Sequence, residues 1–329
     1  MAEVSSIKKK RIEYIDIAKG IGIIFVILAH TDFNYCHFLK NLSTIGWTFN
    51  MPLFFIISGL CFRKKGNEIT YTLLKRLIVP FYFTIFIFIV FYLVSGYYDE
   101  AKDWVWGGIY GSGLVYSTPF YIKGVGPIWF LWALFWAKFF LNYIVHLPEH
   151  LVLVLVVLLA YWGIFSYSRF VLPIEIQSGC IGLLYLFIGF LAHKYGLLQK
   201  FNLPLFVFSL LVWGVGCFND YGYMTLINCK VDLISIIVSC CACYVILFLS
   251  KLFERFKILC AILTWLGKNT IVILCFHTFE LYTGISSKIA VVLFSSEIHD
   301  TVLIVRVIWC VFFALVIPKI PLVRKAFSL

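Results

Sequence analysis

Three ionisable side chains, those of Asp16, Lys19 and His30, lie in the first apolar segment of the chain. Lys19 and His30 are eleven residues apart, which on an α-helix is three turns plus about 20°, so we expect both on one face, about 16 Å apart along the axis. Histidine can take a proton from a reacting group near neutral pH, and a lysine ammonium can hold an anion. Ionisable groups inside a bilayer are costly and usually face the interior of a helix bundle, so this face is the first candidate for chemistry.

The composition of the chain predicts a polytopic membrane protein. It is 62% hydrophobic and 13% charged, with a mean hydropathy of +0.98 over 329 residues. Apolar runs close to the 20 or so residues that cross a bilayer recur about ten times, and no long polar stretch remains, so we expect an all-α bundle in a single membrane domain over residues 1–329. The ten expected spans are 13–33, 44–62, 72–96, 127–145, 150–167, 178–193, 203–219, 232–250, 259–281 and 301–318.

The loops between these spans carry their charges unevenly. Lys and Arg concentrate in alternate loops and at both ends of the chain, whereas the opposite loops are richer in Asp and Glu. Basic loops stay on the cytoplasmic side, so both termini are predicted to be cytoplasmic. The net charge of +11 then follows from topology, and without a soluble basic module it does not indicate nucleic-acid binding.

Outside the first segment, fewer patterns point to chemistry. The longest expected external segment, residues 97–126, is rich in Gly, Trp and Tyr, which is typical of an interfacial belt and equally of a carbohydrate platform. Most of the eleven cysteines are expected to pack as small apolar residues, although Cys36 and Cys229, near the outer face, could pair. The seven histidines show no metal-ligand spacing, and no phosphate loop is present, so no metal site is predicted.

Five elements, in order, resemble those of a known family. They are Asp16, Lys19 and His30; Met51-Pro52-Leu53-Phe54-Phe55 followed by Ser58-Gly59; Lys75-Arg76-Leu77 with Pro80; Pro127-Ile128-Trp129-Phe130-Leu131; and Leu266-Gly267-Lys268-Asn269-Thr270 followed by His277. Together they resemble the integral-membrane acyltransferase family 3, which includes O-acetyltransferases of bacterial surface polysaccharides. Many members of that family carry Arg at the position of Lys19 and often His at the position of Asn50.

The resemblance implies an inner-membrane enzyme that moves an acyl group, expected to be acetyl, from cytoplasmic acyl-CoA to a hydroxyl of a cell-surface glycan or its lipid-linked precursor. Acyl-CoA would be a co-substrate, with no permanently bound cofactor. His30 is the expected base, or alternatively a nucleophile, and forms the catalytic group with Lys19 and Asp16. Lys19 and Arg76 are expected to hold the phosphates of the donor. The residues expected to line the acceptor path are Trp129, His277 and Asn50.

Two further readings stay open at this point. A glycan exporter or flippase would also need interior polar groups and aromatic surfaces. A sensor or accessory subunit with a degenerate site is a third reading. His277 is expected about 18 residues beyond the inner end of its helix, about 27 Å deep, at nearly the depth of His30.

Overall fold

The computed structural model describes residues 12–31, 33, 36–64, 66, 68–117, 120–198, 201–219, 231–294 and 299–327. Within these ranges the fold is all-helical, which confirms the predicted class, and the extended pairing is a single bridge between Tyr116 and Ile122. The helices of the first half are α1 (Glu13–Ala29), α2 (His37–Gly46), α3 (Asn50–Leu60), α4 (Glu68–Leu73), α5 (Val79–Val94), α6 (Tyr98–Tyr110), α7 (Trp129–Ile144) and α8 (Glu149–Tyr167). Those of the second half are α9 (Ile176–Lys194), α10 (Leu203–Phe218), α11 (Leu233–Phe253), α12 (Lys257–Lys268), α13 (Thr270–Thr283), α14 (Ile285–Phe294), α15 (His299–Val316) and α16 (Pro321–Ala326).

Six helical stretches of the described residues are long and apolar enough to cross a membrane, and the number rises to eight if each of two bent helix pairs forms one span. Two of the ten predicted spans correspond to shorter helices, because α1 has 17 residues and α10 has 16. The ten-span arrangement and the cytoplasmic termini therefore stay predictions. The six stretches are Glu68–Val94, Gly126–Ile144, Glu149–Tyr167, Pro173–Lys194, Leu233–Phe253 and Thr301–Lys319.

Helix α1 is central, since it packs against α2, α3, α11, α12 and α13. Its crossing with α12 is close enough for backbones to touch. A Cβ added to Gly20 would lie 2.2 Å from the carbonyl oxygen of Leu263, and one added to Gly267 would lie 1.8 Å from that of Asp16. Small residues allow this approach in membrane bundles, where close packing takes the place of the hydrophobic effect.

Residues 259–281 do not form one straight helix, because α12 and α13 meet at an angle of 71°. The break falls at Asn269, whose φ of −106° and ψ of 13° lie outside the helical region. The side chain of Asn269 donates from Nδ2 to the carbonyl oxygen of Trp265, 2.8 Å away, and so satisfies the end of α12. The depth inferred for His277 from an unbroken helix is therefore wrong.

A π-helical turn, Leu74–Ile78, joins α4 to α5. Pro80 follows it and has no N–H to bond the carbonyl of Arg76 four residues earlier, which favours the wider turn. Such turns often occur at functional sites. This turn carries Lys75 and Arg76, the basic residues singled out in the sequence.

The external segment predicted at residues 97–126 begins as helix α6. Its aromatic residues divide into two groups: Trp104 is fully buried and stacks on Phe88 at 3.6 Å between ring centres, whereas Trp106 is exposed. The amine of Lys123 lies 5.5 Å above the ring of Trp104 and 2.5 Å from Oε2 of Glu100. Trp104 is therefore a packing residue, and only part of this segment offers an aromatic surface.

Candidate active site

Asp16 and Lys19 form an ion pair on one face of α1, with 3.3 Å between Lys19 Nζ and Asp16 Oδ1. The Asp16 side chain is 3% exposed, whereas that of Lys19 is 27% exposed. Their spacing of three residues places them one turn apart on the helix. Asp16 thus anchors the ammonium from the buried side, and Lys19 projects toward open space.

That space is a cavity of about 850 Å³. Five cationic side chains line it, and among its described lining residues there is no carboxylate. They come from five separate segments: α1, the turn after α3, the π-helical turn, the middle of α7 and the end of α12. The five are Lys19, Arg63, Arg76, Lys138 and Lys268. A concave surface of one sign concentrates ligands of the opposite charge, so this cavity suits a polyanion.

The first residues of α13 add to this positive character. Thr270, Ile271 and Val272 line the cavity, and no side chain caps the helix at Asn269. A helix N-terminus carries unsatisfied N–H groups and the positive end of the helix dipole. The break between α12 and α13 thus places a helix start beside the cationic side chains.

The rest of the cavity wall is largely apolar and follows α1 and α13 towards the two histidines. Ile23 and Val26 continue the face of α1 that carries Lys19, and Leu274 lies opposite on α13. His30 and His277 are not among the lining residues; each lies one turn beyond the last one, Val26 or Leu274. The predicted face of α1 therefore runs from the cavity towards His30, with the imidazole past the cavity end.

His30 follows the last residue of α1, and its Nδ1 lies 2.8 Å from the carbonyl oxygen of Val26. A carbonyl oxygen only accepts hydrogen bonds, so Nδ1 carries the proton and Nε2 of the neutral ring keeps a lone pair. The side chain is half-buried. Its ring lies 5.5 Å from that of His277 and 5.5 Å from that of Trp47, measured between centres.

His277 is fully buried, and its Nδ1 lies 3.0 Å from Oε1 of Glu280. The carboxylate accepts from Nδ1–H, which leaves the lone pair on Nε2; that atom is buried and has no hydrogen-bond partner among the described residues. A carboxylate behind an imidazole holds the ring in one tautomer and orientation, as in hydrolase triads. The two histidines thus present two basic nitrogens close together.

Arg306 of α15 completes the cluster. Its Nε pairs with Oε1 of Glu280, and its Nη1 donates to the backbone oxygen of His30 and to Oγ1 of Thr31, both at 2.7 Å. Neither Glu280 nor Arg306 was predicted from the sequence. The sequence does contain a signal for both residues, because each is a charged residue within an apolar run. Such a residue is costly in a membrane unless it is paired, and it usually marks a functional site.

Trp129 and Asn50, predicted to line an acceptor path, are both buried and lie outside the cavity lining. Trp129 begins α7 and packs edge-on against Phe130, 6.3 Å away between ring centres. Asn50 begins α3 after the 43° bend from α2, and its Oδ1 has no hydrogen-bond partner among the described residues. Cys229, which could pair with Cys36, lies outside the described residues.

These features define the class of protein: a multi-pass helix bundle with a cationic cavity and, one turn past its end, two histidines, of which His277 contacts a carboxylate. The family described as "Acyltransferase domain" matches residues 12–320, and the chain belongs to this family, acyltransferase family 3. It is therefore a membrane acyltransferase. A comparison with curated proteins found no match, and neither did a comparison with solved structures.

Proposed function

We propose that the protein transfers an acetyl group from cytoplasmic acetyl-CoA to a hydroxyl of a cell-surface glycan or its lipid-linked precursor. It would do so as a ten-span protein of the inner membrane, with both termini in the cytoplasm. The observation that carries the proposal is the cavity with five cationic side chains and no described carboxylate, which ends one turn from His30 and His277. Family membership supplies the reaction class.

The donor is assigned to the cavity because coenzyme A combines a phosphate-rich end with a long, largely uncharged arm. Lys19 and Arg76 hold the phosphates, together with Arg63, Lys138 and Lys268. The arm then runs along the apolar wall past Val26 and brings the thioester to the histidine pair. Reaching His30 requires about one further helical turn, or about 5.4 Å, beyond the last lining residue.

The acceptor hydroxyl approaches His30, which is the more exposed of the two histidines. Nε2 of His30 takes the hydroxyl proton as the oxygen attacks the thioester carbonyl carbon. The new C–O bond forms and the C–S bond breaks; the proton passes from the imidazolium to the leaving sulfur, giving an ester and free coenzyme A. His277 offers a second lone pair at Nε2, and the partly exposed ring of Trp47 gives the acceptor sugar a surface for stacking.

The test uses the purified full chain in lipid nanodiscs with radiolabelled acetyl-CoA and a lipid-linked oligosaccharide extract. Label should move to the lipid fraction as an alkali-labile ester, with one free coenzyme A released for each acetyl transferred. A glycan exporter would consume no acetyl-CoA. Absence of both label transfer and coenzyme A release, with the protein folded, would contradict the proposal.

Donor binding can be measured separately at Cys61, which is exposed and lines the cavity. Acetyl-CoA should slow alkylation of Cys61 by a maleimide, as read by peptide mass spectrometry. Cys36 lies outside the cavity lining and is the matched control, whose alkylation rate should not change. Equal alkylation rates of Cys61 with and without acetyl-CoA would contradict the proposal that the donor binds in this cavity.

A further inference from the structure

We propose that Arg306 is a positioning residue that fixes the rings of His30 and His277 relative to each other. This inference rests on the proposed acyl transfer. One guanidinium contacts three groups, each tied to a histidine: the backbone oxygen of His30, the hydroxyl of Thr31 beside it, and the carboxylate of Glu280 behind His277. Arg306 thus links α1 and α13 from a third helix, α15.

Arg306 contacts α1 at its C-terminal end, where backbone carbonyl groups lack hydrogen-bond donors. The last carbonyl groups of a helix have no intrahelical donor, and Nη1 of Arg306 supplies one to the carbonyl of His30 itself, at 2.7 Å. Oγ1 of Thr31 accepts from the same Nη1 while donating to the oxygen of Ile27, at 2.9 Å. The end of α1 is thereby fixed on both sides of the residue whose ring must meet the acceptor.

The contact of Arg306 with Glu280 pairs a buried positive charge with a buried negative charge. Glu280 is 1% exposed, and a carboxylate so deeply buried needs a counter-charge. Because the guanidinium provides that charge, His277 can orient its ring on Glu280 as a neutral imidazole and keep the lone pair on Nε2. Lysine could neutralise the carboxylate but lacks the planar fork that contacts all three acceptors at once.

The experiment compares wild-type protein with Arg306→Lys and with the double variant Glu280→Gln/Arg306→Met, in nanodiscs, using acetyl-CoA and the same lipid extract. Arg306→Lys should lower kcat about 10–100-fold with the KM for acetyl-CoA and the donor protection of Cys61 unchanged, because the donor site is intact while the histidines are misplaced. The double variant removes both buried charges together, so its abundance should be near that of wild type while its kcat stays low. Arg169→Lys, at an exposed arginine, is the matched control and should show wild-type kinetics.

A second readout needs no turnover. Carbethoxylation of His30 by diethyl pyrocarbonate, followed by peptide mass spectrometry, should be several-fold faster in Arg306→Lys because the end of α1 is released, while the exposed His150 reacts at an unchanged rate. A wild-type kcat in Arg306→Lys or in the double variant would overturn the inference but leave the acyl transfer intact. If wild-type protein transfers no acetyl group, the proposed function fails, and equal carbethoxylation rates of His30 would then overturn the positioning role as well.

Discussion

Gly267 lies directly against the backbone carbonyl of Asp16, so that a methyl group on Gly267 would sit 1.8 Å from that oxygen. The obstacle is backbone, which cannot rotate away as a side chain could. We expect Gly267→Ala to separate α12 from α1, lowering stability by at least about 1–3 kcal/mol, the usual cost of overpacking. The measurements are the yield of folded protein and its thermal unfolding midpoint in detergent.

Gly214 of α10 is the matched control for this substitution, because a Cβ there would meet nothing within 4 Å. Gly214→Ala should leave the midpoint unchanged or raise it slightly, since alanine favours a helix more than glycine does. Equal midpoints for the two alanine variants would mean that the crossing of α1 with α12 is looser than the structure has it.

His30→Ala should abolish acetyl transfer while leaving membrane insertion and abundance intact. Loss of a general base costs about 10²–10⁴-fold in rate, and donor protection of Cys61 should persist because His30 lies beyond the cavity lining. His277→Ala should also lower kcat with donor protection unchanged. Transfer at the wild-type rate in His30→Ala would exclude this residue from the reaction.

Removal of cavity charges should weaken donor binding rather than chemistry. Lys19→Ala and Arg76→Ala are each expected to raise the KM for acetyl-CoA about tenfold or more, since a charge-assisted hydrogen bond contributes about 1.5–3 kcal/mol. Lys19→Arg should keep the KM near the wild-type value, and the wild-type KM should rise with salt. Lys102 of α6 is exposed and outside the cavity, so Lys102→Ala should leave the KM unchanged; a comparable rise there would indicate a general surface effect.

Trp47 should affect transfer to the acceptor sugar and not binding of the acetyl-CoA donor. Its partly exposed ring lies 5.5 Å from that of His30, so Trp47→Ala is expected to lower transfer to the sugar about 2–10-fold, the range of an aromatic contact. Protection of Cys61 by acetyl-CoA should stay at its wild-type level, because Trp47 lies outside the cavity lining. Trp106→Ala, at an exposed tryptophan of α6, is the control and should transfer acetyl groups at the wild-type rate. Loss of donor protection at Cys61 in Trp47→Ala would assign Trp47 a structural role instead.

The local part of this arrangement could be predicted from sequence. A spacing of three residues places Asp16 one helical turn from Lys19, where the structure has their ion pair, and apolar runs predict the helical class. The association of Glu280 and Arg306 with His30 could not be predicted, because it depends on how α13 and α15 pack against the end of α1.

The cavity, too, could be predicted from the sequence only in part. Lys19 and Arg76 were predicted to bind the donor, whereas Lys268 appeared only as part of a motif and Arg63 and Lys138 had no predicted role. Their meeting depends on the break at Asn269 and on the π-helical turn, two local departures from regular helix that no periodicity in the sequence reveals.

The central position of α1 has a consequence during synthesis of the chain. The N–H of Tyr14 donates to Glu254, a residue 240 positions later, so three of the helices that pack on α1, namely α11, α12 and α13, are made long after it. At ribosomal speeds of about 5–20 residues per second, the first helix waits roughly 10–50 s in the translocon or lipid before they arrive. Asp16 and Lys19 can neutralise each other within α1 alone, which lowers the cost of holding these two opposite charges in lipid during that wait.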